Sequence, residues 1–131
     1  MSRVESGWMA DSILRLHRAV LATRSCDPAQ SRTARLTAEG MPKIAKKLAE
    51  EAVEVALEAV QGDRHRTILE SADLLYNLVV LWSEMGIAPD DVFREMDRRE
   101  QLYGMAEKLP KRRSKLRARL SPVPALLGAG S

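Results

Sequence analysis

The sequence predicts an all-α protein: four helices in order, with a core shared across a dimer. Three observations carry this. Apolar residues recur at helical spacing, about 100° per residue, in four successive segments. The segments are bounded by Pro28, Pro42, Gly62, Gly86, Pro89 and Gly104, where helices start and stop. No stretch alternates as a strand does, and there is no glycine-rich phosphate loop or internal repeat.

The first helix spans about Trp8 to Arg24, with Met9, Ile13, Leu16, Val20 and Leu21 on its apolar side and Asp11 or Ser12 near its N-terminus. Asp27-Pro28 ends it, because the residue before proline disfavours the helical region. Residues 25–41 read as a polar loop with Arg32, Arg35 and several hydroxyls, suited to a phosphate lid or to a plain surface connection. Pro42 opens the second helix, which runs to about Gln61 and closes at Gly62-Asp63. The third runs from about Arg64 to Met85. Its apolar residues fall on every side, which normally means burial. A single layer of three partners of this length would struggle to cover it, so a second copy of the chain is expected to complete the core. The fourth helix follows Pro89, with Asp90 and Asp91 in its first turn, where the helix dipole favours acids, and breaks at Tyr103-Gly104.

At 131 residues, 45% apolar and 30% charged, the chain reads as a single domain, 1–131, with room for one core. The ordered part is expected over about 8–108, followed by a basic, flexible tail, 109–131. With two Trp, two Tyr and one Phe, the core is aliphatic. The single cysteine, Cys26, excludes an internal disulfide and a multi-cysteine zinc site. His17 and His65 show no metal spacing and read as surface groups. The run Leu74–Trp82 is too short to span a bilayer, and the N-terminus has no signal-peptide pattern, so the cytoplasm is expected. Net charge is +3, with bases gathered from Lys108 to Arg119. Such a block can touch nucleic acid, but no aromatic residue is interleaved to stack on bases, and it reads first as a solvated tail.

The chemistry lies between Lys47 and Asn77. Glu50, Glu51 and Glu54 form Glu-Glu-x-x-Glu in the second helix, and Glu70 and Asp73 form Glu-x-x-Asp in the third. Residues three or four apart share a helix face, so Glu51 and Glu54 pair on one face and Glu70 and Asp73 on another. If the helices pair, four carboxylates converge. Converging carboxylates repel and need a cation, and oxygen donors suit Mg²⁺ or Mn²⁺. Taken alone, the first set reads as an ordinary solvated face, opposite Ala45, Leu48, Ala49, Ala52, Val53, Ala56 and Val60. The second set alone has a bland reading too, as acids near a helix start. Lys47 and Glu51 have i,i+4 spacing.

These motifs, with Ser-Arg-Thr-Ala-Arg-Leu at 31–36 and Asp-Leu-Leu-Tyr at 73–76, resemble phosphoribosyl-ATP pyrophosphatase of histidine biosynthesis. That family belongs to the all-α nucleotide pyrophosphohydrolases, with the MazG-type proteins. The resemblance covers roughly residues 10–108. It implies a homodimer or higher oligomer and Mg²⁺-dependent hydrolysis between the α and β phosphates. By position it implies Glu51, Glu54, Glu70 and Asp73 as metal ligands and Glu50 as a supporting, water-orienting carboxylate. Lys47, Arg32 and Arg35 are the candidates for electrostatic and substrate contacts. The pattern differs at Arg32, Arg35, Ala49 and Asn77, where the family usually has tyrosine, lysine, glycine and histidine; these positions are expected around the substrate, Asn77 included. Two other readings stand beside this one: a pyrophosphohydrolase for another (d)NTP, and a helical interaction protein whose basic tail binds nucleic acid.

Overall fold

The structure, a computed structural model, describes residues 3–104. They form α1 (Arg3–Thr23), α2 (Arg32–Glu39), α3 (Met41–Val60), α4 (Arg64–Glu84) and α5 (Pro89–Tyr103), with no strand among the described residues. The all-α expectation holds. The expected tail, 109–131, lies outside the described residues. The described chain divides into two units, one running through Val92 and one starting at Phe93.

Two element boundaries are corrected. The first helix starts at Arg3 rather than Trp8, so neither Asp11 nor Ser12 marks its N-terminus. Nothing between Arg3 and Trp8 forbids a helix: there is no proline, and Gly7 costs only about 1 kcal/mol. The 25–41 stretch is not one continuous loop, because it contains α2, a fifth helix. Ser31 caps α2 from an extended backbone, its Oγ accepting from the Ala34 N–H at 3.1 Å. Thr33, Ala34 and Leu36 turn inward and are buried. Eight residues do not hold a helix in water on propensity alone; the buried side of α2 does.

Gly40, at φ 89°, ends α2 and begins α3, a backbone state open to glycine at little strain. The turn Gln61-Gly62-Asp63 joins α3 to α4 as a helical hairpin. The Asp63 Oδ1 caps α4 by accepting from the Arg66 N–H at 2.9 Å. α3 and α4 make the most extensive pairing, with α1 packed on α4 and α2 on α3. The core draws Val20 from α1, Leu36 from α2, Ile44 from α3 and Val79 and Val80 from α4, with Ile13, Leu16, Met41, Tyr76, Leu81 and Trp82 against it. At the end of α1, Arg24 donates from Nη1 to the Ser83 carbonyl at 3.1 Å and pairs with Glu84 at 3.7 Å. In the second unit, two hydrogen bonds from Arg98 at 2.7 Å and one from Arg99 at 3.0 Å hold the Glu95 carboxyl down at about 2.

The facing of α3 reverses part of the expectation. Its inward side carries Ile44 and Glu51, both buried, while Ala45, Ala49, Ala52, Val53, Ala56, Leu57 and Val60 are exposed. On α4, Asn77, Val79, Val80 and Ser83 are buried, but Ile68, Leu69 and Leu75 are about half exposed. No helix among the described residues is long and apolar enough to cross a membrane.

Ile44 is fully buried where α3 meets the core. Ile44→Ala removes packed methyl groups and leaves a cavity, so we expect it to lower stability by about 2–5 kcal/mol in urea unfolding. A loss under about 0.5 kcal/mol, the range of an ordinary surface change, would show that the core does not centre there.

Candidate metal centre

The α3–α4 hairpin turns two pairs of acids toward each other. Glu51 and Glu54 stand one turn apart on α3, and Glu70 and Asp73 one turn apart on α4. Carboxylate oxygens of Glu51, Glu70 and Asp73 all lie within 4.8 Å of one another. Glu51 is only 8% exposed, and its Oε2 has no hydrogen-bond partner among the described residues. It is therefore not part of the solvated face that its own helix suggests.

The electrostatics show a site short of positive charge. Burial pushes the Glu51 carboxyl up; a hydrogen bond with Glu70 opposes this, and repulsion from Glu54 and Asp73 adds to it. Glu70 is pushed up to about 7, first by hydrogen bonds with Glu54 and Glu51, then by burial and by the charges of the same two acids. Glu54 is exposed and joins the cluster from its edge. None of the ion pairs among the described residues involves these four acids. A buried charge without a partner is costly, and an all-oxygen donor set with one orphaned oxygen fits a hard divalent cation.

The other candidates stand around this cluster at different depths. Glu50 is exposed and is not among the groups that perturb Glu51 or Glu70. Lys47 is half-buried, and the pair with Glu51 that its spacing suggests is not among the ion pairs of the described residues. Arg35 is exposed and donates from Nε to the Pro28 carbonyl at 3.2 Å, back toward the loop. Asn77, expected near substrate, is fully buried behind the acids. Its Nδ2 donates to the Asp73 carbonyl at 2.8 Å and its Oδ1 has no partner among the described residues. Arg32 reaches α4, with its guanidinium 4.8 Å from the Tyr76 ring centroid. Thr33 and Tyr76 share a 2.6 Å hydrogen bond between their hydroxyls. Both lie inside the 31–36 and 73–76 motifs, but the sequence alone assigns neither a role; the available signal is a hydroxyl-bearing ring one turn beyond Asp73.

The fold is that of an all-α nucleotide pyrophosphohydrolase. Residues 14–100 match the family described as phosphoribosyl-ATP pyrophosphohydrolase, and the chain belongs to that family. It is 64% identical over 105 residues to "Phosphoribosyl-ATP pyrophosphatase 2" of Rhodopseudomonas palustris, covering 80% of each chain. It is 60% identical over 114 residues to the protein of that name in Bradyrhizobium diazoefficiens, covering 87% of this chain and 85% of the relative. A phosphoribosyl-ATP pyrophosphatase of Gluconobacter oxydans is 49% identical over 102 residues, covering 78% of this chain and 77% of the relative.

The raised carboxyl of Glu70 sets a pH dependence. Its folded value of about 7 stands above the ordinary 4.5, so the folded chain binds more protons than the unfolded chain between these values. Stability then falls as pH rises through that window. With a chelator present, we expect this site to make the protein less stable at pH 8 than at pH 5, and Glu70→Gln to shrink that difference in thermal melts. An equal difference in wild type and variant would mean that the acids do not strain the fold.

Proposed function

We propose that this chain hydrolyses phosphoribosyl-ATP to phosphoribosyl-AMP and pyrophosphate in histidine biosynthesis, in the cytoplasm, using Mg²⁺, with Mn²⁺ as the possible substitute. The observation that carries the reading is the buried Glu51 carboxylate, facing Glu70 and Asp73 with an oxygen left unbonded. The names of the relatives supply the substrate. Glu51, Glu54, Glu70 and Asp73 would hold the cation. When bound, it would neutralise phosphate charge, orient water and stabilise the departing pyrophosphate. Glu50, exposed beside Glu51 in the chain, would orient a water at the open edge. Lys47, one turn before Glu51 and half-buried, adds positive charge where negative charge develops. Arg32 receives the anionic substrate from α2, Arg35 is drawn back to the Pro28 carbonyl, and Asn77 acts by holding the Asp73 carbonyl.

Glu70→Ala should cut pyrophosphate release by more than about a hundredfold, beyond the loss typical of a group that only supports a ligand, with the helical circular dichroism unchanged. Chelation should silence the wild type, and added Mg²⁺ should restore it. Full activity of Glu70→Ala would remove the metal assignment. Preference for another nucleoside triphosphate in the same assay would remove the substrate and leave the chemistry, a result to which the departures at Arg32, Arg35, Ala49 and Asn77 make the assay sensitive.

We propose further that a second copy of the chain covers the hairpin. Val53, Leu57 and Val60 on α3 and Ile68, Leu69 and Leu75 on α4 are exposed, Val60 to 87%. Exposed large apolar side chains on both helices of the hairpin are what an association surface would cover. Light scattering at micromolar concentration should return at least a dimer, and Val60→Asp should shift it toward monomer; a monomeric wild type refutes the proposal.

A further inference from the structure

Tyr76 ties together two elements that the proposed reaction needs in register. It stands on α4, one turn beyond Asp73. Its hydroxyl shares a 2.6 Å hydrogen bond with Thr33, which is only 7% exposed on α2. Its ring carries the Arg32 guanidinium 4.8 Å from the centroid. Both contacts end on the first turn of α2, and both start from one side chain of the helix that supplies Glu70 and Asp73. The bond is at the short end for two hydroxyls, and its partial burial limits replacement by water. α2 packs more extensively on α3 than on α4, so Tyr76 provides the directional tie across to the acidic helix.

Arg32 is exposed, and among the described residues its one defined contact is the ring of Tyr76. A guanidinium stacked on an aromatic face keeps its in-plane N–H donors open, and their fork matches a phosphate or carboxylate. The ring contact restrains where that fork sits. Arg35, one turn along the same helix, bonds back to Pro28 instead. Of the two arginines of α2, Arg32 is the one that contacts the helix bearing Glu70 and Asp73.

We propose that Arg32 is a specificity-determining residue that binds a phosphate of the nucleotide, and that Tyr76 is its positioning residue, pinning the first turn of α2 through Thr33 and orienting the guanidinium through its ring. The inference rests on the pyrophosphohydrolase reading above and deepens it.

The test is steady-state pyrophosphate release by the full chain with Mg²⁺, on the nucleotide that the wild type prefers. Tyr76→Phe keeps the ring and loses the hydroxyl, and Thr33→Val loses the same bond from the other side. Each should raise KM roughly three- to tenfold, the worth of one hydrogen bond, with kcat held within about twofold. The double variant should be no worse than the poorer single, because both delete one bond. Arg32→Ala should raise KM at least about tenfold, as loss of a charge-assisted contact does. Arg32→Lys should recover only part of that, since lysine keeps the charge but not the plane. In the Arg32→Ala background, Tyr76→Phe should add nothing to KM. The stabilisation of each variant by Mg²⁺ alone, read as a melting shift, should match the wild type.

A merely structural Tyr76 would lower the melting temperature and leave KM in place, and that result overturns the inference. So does an additive Thr33→Val/Tyr76→Phe pair, or an active Arg32→Ala with unchanged KM. If Tyr76→Phe fails to fold, the exposed Arg32→Ala and Arg32→Lys pair decides the matter. A wild type that releases pyrophosphate from no nucleotide overturns the functional reading and this inference together; an active wild type with an indifferent Arg32 overturns the inference alone.

Discussion

The packing of α3 against α4 brings the side chain of Glu51 to 8% exposure with Glu54, Glu70 and Asp73 around it and no cationic side chain paired to it. This is an unfavourable arrangement in a bare chain. The hairpin tolerates it because the apolar anchor and the acids are set apart along the same interface. Ile44 stands seven residues before Glu51 on α3, and Val80 seven residues after Asp73 on α4. Seven residues are about two helical turns, so an antiparallel pair places Ile44 near Val80 at one end and the acids further along. The Gly62 turn and the Asp63 cap close the far end. The helices meet through their apolar halves and carry the acids past one another as a consequence.

An arginine could have neutralised the same acids. Buried ion pairs with good geometry are tolerated, and the chain has arginines to spare on neighbouring surfaces. A fixed guanidinium would also fill the space and commit the oxygen that Glu51 leaves free. Local strain of this sort is characteristic of working sites rather than of optimised packing. The surrounding cations follow the same logic at longer range. Among the described residues Lys47 stays half-buried without an ion pair, and Arg32 rests on a ring, so neither quenches the acids and both remain available to an anion.

Much of this was readable in the sequence, for specific reasons. Pro42, Gly62, Gly86 and Pro89 mark helix ends through backbone restrictions that hold in almost any fold, and those boundaries agree with the structure to within one residue at each. The spacing of Glu51 with Glu54 and of Glu70 with Asp73 fixes shared faces through helical geometry alone. Spacing does not say which face turns inward. α3 has apolar residues on two sides, Ile44, Leu48 and Val55 on one and Val53, Leu57 and Val60 on the other, and only the partner helix decides between them. α2 was hidden because Arg32, Arg35 and Glu39 dominate eight residues whose buried side is Thr33, Ala34 and Leu36. The Thr33–Tyr76 bond joins residues 43 apart in sequence, and no local pattern encodes such a contact.

Val53, Leu57, Val60, Ile68 and Leu69 fall on the same half of the hairpin as the acids, so the proposed assembly and the proposed chemistry would meet on one segment. Val53, Leu57 and Val60 flank Glu54 on α3, and Ile68 and Leu69 precede Glu70 on α4. That half lacks the Ile44–Val79–Val80 packing that holds the other end. It also bears the repulsion among the carboxylates. Apolar surface withdrawn from water stabilises by about 25 cal/mol per Å², so a second copy laid on Val53, Leu57, Val60, Ile68 and Leu69 would supply packing where the single chain has least. A cation bound among the acids would relieve the repulsion in the same segment. Under the proposed assembly and metal site, the two events would act on one stretch of two helices, and each would make the other more favourable by holding α3 and α4 together at the turn. A chain that buried its acids beside the Ile44 core would not have this coupling, since that end is already held.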